Sequence, residues 1–470
     1  MRSRLFLAMG LACTAAIPAC AQRPAPSPPN SLSIDVRALE TLVDSVMRRG
    51  MENDHIPGAV FTLVQDGRVV FAKGYGLSDV EAKRPVSPDS TVFRIGSITK
   101  VFTATAVVQL ADRGRIDLDR DVNQYLKRLQ VPKTFAEPVT PRHLLSHTPG
   151  FDELPGVRLA PSADAVLPLH EFLRDKLVRV RPPGRVTAYS SFGAALAGLL
   201  VEEVSGQSYE DYLRQHIWQP LGMTRTYITP GGSPVGYEFA NGQVTRAPYE
   251  WYHTTPAGSI NSTAADMARF MIAHLEGGAP ILSQQATREM QRRQATMHPM
   301  LPGWTLGFQQ NDLNGERIIE HGGDIAGFSS LMVLLPDRRT GFFVANHREG
   351  SNLRFTVEQA VLDRFFPDRR PAEKLPAPAG SAALADRFVG TYRWNIYCRT
   401  CPPGRQQLFE FTVTANEDGT ITTNGRRWVE VSPFFFRSIE GKLRLGFAAD
   451  STGRVMHLTG GSWAVAERVR

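Results

Sequence analysis

Apolar positions along this chain change their period three times. Val36, Leu39, Leu42, Val43 and Val46 recur at helical spacing, which predicts an amphipathic helix from about Asp35 to Asn53 that packs on a sheet. Ala59 to Val64 and Val69 to Tyr75 are β-branched and aromatic runs flanking Asp66-Gly67, a hairpin signal. From Val101 to about Gly278 helical spacing dominates, in Phe102 to Leu110, Leu167 to Val178, Ala194 to Val204, Tyr209 to Ile217 and Ala264 to Leu275. Strand patterning returns at Gly303 to Gln309, Arg317 to Glu320, Phe328 to Leu334 and Gly341 to Ala345, separated by Asn-Gly, Gly-Gly and Pro-Asp turns. A sheet that starts before a helical block and resumes after it implies one domain with a helical lobe, its cleft lying where the two meet.

Residues 367–383 are rich in Pro, Ala and charge and read as a linker. Beyond it, Phe388 to Arg393, Leu408 to Val413, Thr420 to Thr422, Phe434 to Ile439, Leu443 to Phe447 and Val455 to Leu458 alternate as short strands, fitting a small antiparallel barrel or sandwich. The expected class is α+β: an antiparallel sheet flanked by helices plus a helical lobe, then a small all-β domain. A length of 470 residues suits two cores. The predicted division is a leader at 1–21, a Pro-rich linker at 22–34, a main domain at 35–366, the linker at 367–383 and the small domain at 384–470.

The leader is read from Arg2 and Arg4, the apolar run Leu5 to Pro18, and Ala19-Cys20-Ala21. That run is shorter than the ~20 residues a spanning helix needs. Export to the periplasm or the exterior is therefore expected. Ile17-Pro18-Ala19-Cys20 also offers a lipoprotein processing site with a lipid anchor on Cys20; Pro18 fits such a site poorly and favours a plain cut after Ala21. Loss of Arg2 and Arg4 takes the formal net charge from +7 to about +5. The excess is scattered, with no basic run interleaved with aromatics, so nucleic acid is not an expected partner. Cys398 and Cys401 are the clear mature pair. In an oxidising exterior they can close a small disulfide; a zinc site lacks a second ligand pair, and a redox role lacks a thioredoxin-like context.

Candidate chemistry starts at Phe93-Arg94-Ile95-Gly96-Ser97-Ile98-Thr99-Lys100, where a strand ends and an apolar helix begins. Ser97 then lies near the positive end of a helix, which favours a developing alkoxide. Lys100, three residues on, shares its face. Serine is a weak nucleophile without a base, and a lysine whose pKa is lowered by burial can be that base. Lysine is scarce, eight against forty-five arginines, and this is the one S-x-x-K in the chain. Tyr189-Ser190-Ser191 forms a second element at a loop-to-helix junction; a lysine ammonium beside Tyr189 should lower its phenol pKa and fit it to relay a proton. His321-Gly322-Gly323-Asp324 forms a third. An edge strand there would offer the Asp324 N–H, which with the Ser97 N–H makes an oxyanion hole.

In that order and at that separation, the three elements resemble the motifs of the class C β-lactamase-like serine hydrolases, which include penicillin-binding carboxypeptidases and esterases. His143-Leu144-Leu145-Ser146-His147-Thr148-Pro149-Gly150-Phe151, Pro256-Ala257-Gly258-Ser259 and Pro336-Asp337 are similar too, and the likeness covers about residues 35 to 366. The tail resembles the lipocalin-like barrel appended to some members. The resemblance implies that Ser97 is acylated, that Lys100 and Tyr189 share acid–base work, and that His321, Gly323, Asp324 and Ser191 line the oxyanion and substrate site. Histidine at 321 resembles carboxypeptidases and esterases, where the lactamases have lysine. Serine at 191 replaces their asparagine, which weakens a lactam assignment.

The implied function is a serine acyl-hydrolase acting on a small ester, a D-amino-acid peptide or a β-lactam, with no cofactor or metal. The alternative is a non-catalytic relative that binds peptidoglycan fragments or another ligand. His170-Glu171 begins a metal-protease-like phrase, but Arg174 stands where its second histidine belongs, and no G-x-S-x-G elbow occurs.

Overall fold

The computed structural model describes residues 33–154, 156–228, 234–371, 375, 385–402, 404, 408–461 and 465–469. The expected leader, Cys20, nearly all of the first linker and most of the second lie outside them. No helix among the described residues is long and apolar enough to cross a membrane.

Helix α1 (Val36–Asn53) is capped by Asp35, whose carboxylate accepts from the N–H groups of Arg37 at 2.9 Å and Ala38 at 3.2 Å. It leads into β1 (Gly58–Gln65) and β2 (Arg68–Asp79), joined at Asp66 (φ 49°) and Gly67 (φ 75°), the left-handed pair a tight hairpin needs. After the short β3 (Arg84–Pro85) the chain enters the lobe, built around α2 (Thr99–Asp112), α3 (Ser191–Ser205) and α4 (Ala264–Leu275). It returns as β4 (Gln309–Leu313), β5 (Glu316–Ile325), β6 (Phe328–Leu335) and β7 (Thr340–Asn346), then α5 (Leu353–Phe365). The sheet is antiparallel, in the order β4-β5-β6-β7-β1-β2-β3.

Every residue of β1 is buried, because helices cover both faces of the sheet. Val60 and Val64 belong to the core shared with the lobe; Ala59, Phe61 and Leu63 face the core under α1 and α5. Helix α2 is buried from Thr99 to Leu110, which marks it as the central helix of the lobe and explains why its sequence is apolar all round.

Three predicted elements differ. The strand expected at Gly303 to Gln309 begins only at Gln309. Upstream, Trp304 donates to Ala295 O at 2.8 Å and Gly307, at φ 89°, donates to Leu145 O at 2.8 Å, so this backbone bonds to lobe loops. The helix expected over Leu167 to Val178 is confined to Leu169–Leu173, since Val178 and Val180 exchange backbone bonds with Asp152 and Gly150. The helix from Tyr209 widens after Leu213 into a π-turn at Arg214–Trp218.

Beyond the linker eight strands close into a barrel: β8 (Gly390–Trp394), β9 (Glu410–Ala415), β10 (Ile421–Thr423), β11 (Arg426–Ser432), β12 (Phe435–Ser438), β13 (Arg444–Ala449), β14 (Val455–Thr459) and β15 (Val465–Arg468). Pairing of β8 with β15 leaves no open edge. Phe388, Tyr392, Trp428, Phe436 and Phe447 fill the interior. Strands β11 and β15 escaped the sequence pattern.

Cys398 and Cys401 form a disulfide, and the loop they close docks on the first domain. The buried Asp152 carboxylate accepts from Arg399 N at 2.8 Å, Thr400 N at 2.9 Å and Thr400 Oγ1 at 2.7 Å. Alongside, Asn395 Nδ2 donates to Thr187 O at 2.7 Å and Arg181 donates to Asn395 O at 3.0 Å.

Candidate active site

Ser97 lies in a single 3₁₀ turn (Gly96–Ile98) that runs directly into α2. Two glycines permit the turn to press against β5. Gly96 sits at φ 51°, where a side chain is strained, and a Cβ there would lie 2.9 Å from Asp324 N. A Cβ on Gly323 would fall 2.0 Å from Ile95 O. Strand β4 pairs with β5 only as far as Glu320, so the stretch from His321 to Ile325 has no β4 partner and abuts the serine turn. The edge expected from sequence is a local one, produced by the shortness of β4.

Lys100 is 4 % exposed. Its Nζ lies 3.1 Å from Ser97 Oγ and donates to Ala257 O at 2.6 Å. Burial, reinforced by the charge of Arg158, pushes its pKa well below the ordinary lysine value. Ser97 itself is half-buried, unlike its neighbours Gly96 and Ile98.

Tyr189 presents its ring 4.7 Å from Lys100 Nζ, and its hydroxyl hydrogen-bonds Ser97. The sequence-based expectation for its acidity is reversed. Burial pushes the phenol pKa up, and the bond to Ser97 with the Arg158 charge offsets only part of that. The expectation assumed a lysine ammonium; burial disfavours that charge on Lys100 and the phenolate on Tyr189 alike.

His321 is 3 % exposed, with its ring 6.1 Å from that of Tyr189. Nδ1 lies 2.7 Å from Gly322 O; a carbonyl only accepts, so Nδ1 carries the proton and Nε2, without a protein partner, keeps its lone pair. Burial and the neighbouring Lys100 push its pKa down to about 3, so the ring is uncharged at neutral pH. Asp324 offers the site only its backbone. Burial would raise its carboxyl pKa, but the bonds and charge of Arg354 outweigh this, with Nη2 at 2.5 Å and Nη1 at 2.7 Å, and Ser329 Oγ adds a bond at 2.6 Å. Arg354 also donates to Gly323 O at 2.8 Å, clamping the strand that faces Ser97.

Ser191 is buried at the start of α3 and its hydroxyl accepts from Arg158 Nη1 at 3.0 Å. Sequence reasoning assigned no role to Arg158, Glu153, Trp304, Arg354 or His147, the last noted only within a family-like phrase. His147 has φ 56°, accepts from Ser190 N at Nδ1 (3.1 Å), and packs 4.4 Å from the Tyr189 ring and 4.3 Å from that of Trp304. The Trp304 ring in turn lies 6.0 Å from that of His321. The positive φ of His147, outside any Asx-Gly turn signal, is invisible in sequence; the aromatic packing needs loops that are distant along the chain. No group of three or more His, Cys, Asp or Glu among the described residues is arranged to hold a metal ion.

An α+β scaffold that sets a buried lysine against a half-buried serine at the sheet edge has the build of the serine acyl-transfer hydrolases. The chain belongs to the Beta-lactamase family, whose profile matches residues 43–363. Protein flp of Staphylococcus aureus (strain MW2) is 28% identical over 319 residues, covering 64% of this chain and 62% of that protein, so the chain spans about 62% of this curated relative's length. Among solved structures, the octameric penicillin-binding protein homologue from Pyrococcus abyssi superposes with a TM-score of 0.62 at 24% identity, covering 92% of this chain and 100% of that one. The class C β-lactamase from Rhodobacter sphaeroides gives 0.58 at 23% identity, covering 69% and 99%. Both structures speak to the fold.

Proposed function

We propose that this protein is an exported serine acyl-hydrolase that works through a covalent acyl-enzyme on Ser97. The observation that carries this reading is the 3.1 Å approach of Lys100 Nζ to Ser97 Oγ in surroundings that keep the amine neutral. A neutral amine accepts the serine proton as Oγ attacks the substrate carbonyl. The N–H groups of Ser97 and Asp324 hold the oxyanion, preorganised by the Gly96–Gly323 contact and by Arg354. Tyr189, a neutral phenol bonded to Ser97, gives its proton to the leaving group and is reprotonated from Lys100. Water then enters and the same groups act in reverse. His321 Nε2 accepts from a substrate N–H or O–H.

The substrate is a small ester, a D-amino-acid peptide or a β-lactam, the range suggested by relatives named as β-lactamases and penicillin-binding protein homologues. Two measurements on the purified protein test this. Ser97→Ala is expected to abolish hydrolysis of p-nitrophenyl esters and covalent labelling by a fluorophosphonate or penicillin probe; retention of both overturns the reading. Comparing nitrocefin, short-chain esters and D-Ala-D-Ala peptides then ranks the substrate classes.

A further inference from the structure

Beside the Ser97–Lys100–Tyr189 group stands a guanidinium that, among the described residues, no carboxylate meets at ion-pair distance. Arg158 is half-buried, and among the described residues it makes no ion pair; its one hydrogen bond from the guanidinium goes to the Ser191 hydroxyl at 3.0 Å, two residues after Tyr189. A guanidinium has five N–H donors in a planar fork, so most remain for a ligand. The group is also close to the reacting atoms, since its charge acts on both Lys100 and Tyr189.

Its position is built into the fold. Arg158 O accepts from His253 N at 2.9 Å, and the next two residues pair as a strand with Trp251–Tyr252. The acid closest at hand is already engaged. Glu153 bonds the Ser190 side chain and accepts from Phe192 N at 3.3 Å; burial pushes its carboxyl pKa up, and the Ser190 bond and the nearby Arg158 charge offset only part of that. His321, across the site, is neutral and cannot attract an anion. Among the described residues around Ser97, Arg158 is thus the charged group able to pair with an anionic substrate.

We propose that Arg158 is a specificity-determining residue that selects substrates whose acyl portion carries a carboxylate, bound beside Ser191. This deepens the serine acyl-hydrolase reading and rests on it. A planar carboxylate matches the guanidinium fork, whereas a methyl group of the same size would leave the buried donors unpaired.

The test compares two esters of equal chain length, mono-4-nitrophenyl adipate and 4-nitrophenyl hexanoate, which differ by a terminal carboxylate against a methyl group. The wild type is expected to favour the adipate ester in kcat/KM, through a lower KM, by about tenfold or more. Arg158→Gln is expected to collapse that ratio, and Arg158→Lys to restore part of it. A wild-type ratio at or below one, or a ratio unchanged in Arg158→Gln, overturns the proposal. Failure of the underlying reading looks different: full turnover of both esters by Ser97→Ala would remove the serine assignment and this proposal with it.

Discussion

Strand β5 carries a buried polar cluster on each face, and the two clusters make opposite use of the same physics. Facing the lobe, His321 sits with Lys100 and Tyr189. One residue earlier and on the opposite face, Glu320 hydrogen-bonds Glu358 of α5 and receives the Asn311 amide. Burial disfavours the charged form in both sets, lowering the pKa of Lys100 and His321 and raising that of Glu320 and Glu358. On the lobe side the amine stands 3.1 Å from Ser97 Oγ, the arrangement the proposed base requires. On the α5 side, among the described residues, no hydroxyl hydrogen-bonds either carboxyl, and the pair ties a helix to the sheet. Desolvation prepares a group for chemistry; a neighbouring nucleophile and an open path make it reactive.

The sharpest way to break this comparison is to remove the amine. Lys100→Ala is expected to lower kcat about a thousandfold, while the esters still bind. In the wild type, a protonated amine cannot take the Ser97 proton, so activity falls as pH drops through the lowered Lys100 pKa. A pH–rate profile should therefore show an acid limb far below the ordinary lysine value of 10.5, and a limb near 10.5 would refute the neutral-amine base.

A smaller loss, about thirty- to a hundredfold, is expected for Tyr189→Phe. If the phenol protonates the leaving group, the deficit must grow from nitrophenyl to alkyl esters, because the poorer leaving group needs the proton more. An equal deficit for both would remove Tyr189 from that step.

The smallest effect belongs to the α5 side. Glu320 and Glu358 bind protons more tightly folded than unfolded, so their contribution is most favourable below the ordinary glutamate value of 4.5 and is lost as pH rises through their raised values. Glu358→Gln is expected to raise the melting temperature by about 2 °C at pH 8, with the gain shrinking toward pH 5 and kcat/KM little changed. A gain independent of pH would mean that the pair is not titrating.

The chemistry was legible where it is local. Ser97 and Lys100 lie three apart on one helical start, so their encounter follows from spacing, and the Asp66-Gly67 and Asn314-Gly315 turns follow from residues that tolerate positive φ. The central strands β1, β6 and β7 were legible because they are predominantly apolar runs. What escaped depends on the meeting of distant segments. Arg158 and Glu153 come from one loop, Trp304 from an irregular stretch mistaken for a strand, and Arg354 from α5, and none carries a pattern that announces its partner. Strand β11 was missed because Arg426, Arg427 and Glu430 interrupt its apolar positions, and β15 because Glu467 and Arg468 leave it only Val465 and Ala466 as apolar positions. The acidity of Tyr189 was misjudged because spacing shows proximity to lysine and not the burial that discharges it.

The docking of the disulfide loop on Asp152 has a consequence for modularity. Glu153 is the next residue along the chain, Arg158 follows in the same loop, and the Asn395 bond to Thr187 anchors the approach to Tyr189 from the other side. Truncating the chain after residue 366 would remove the donors that Asp152 accepts from and unfasten, at once, two segments that flank Arg158 and Tyr189. In this protein the appended barrel is masonry for the first domain's loops.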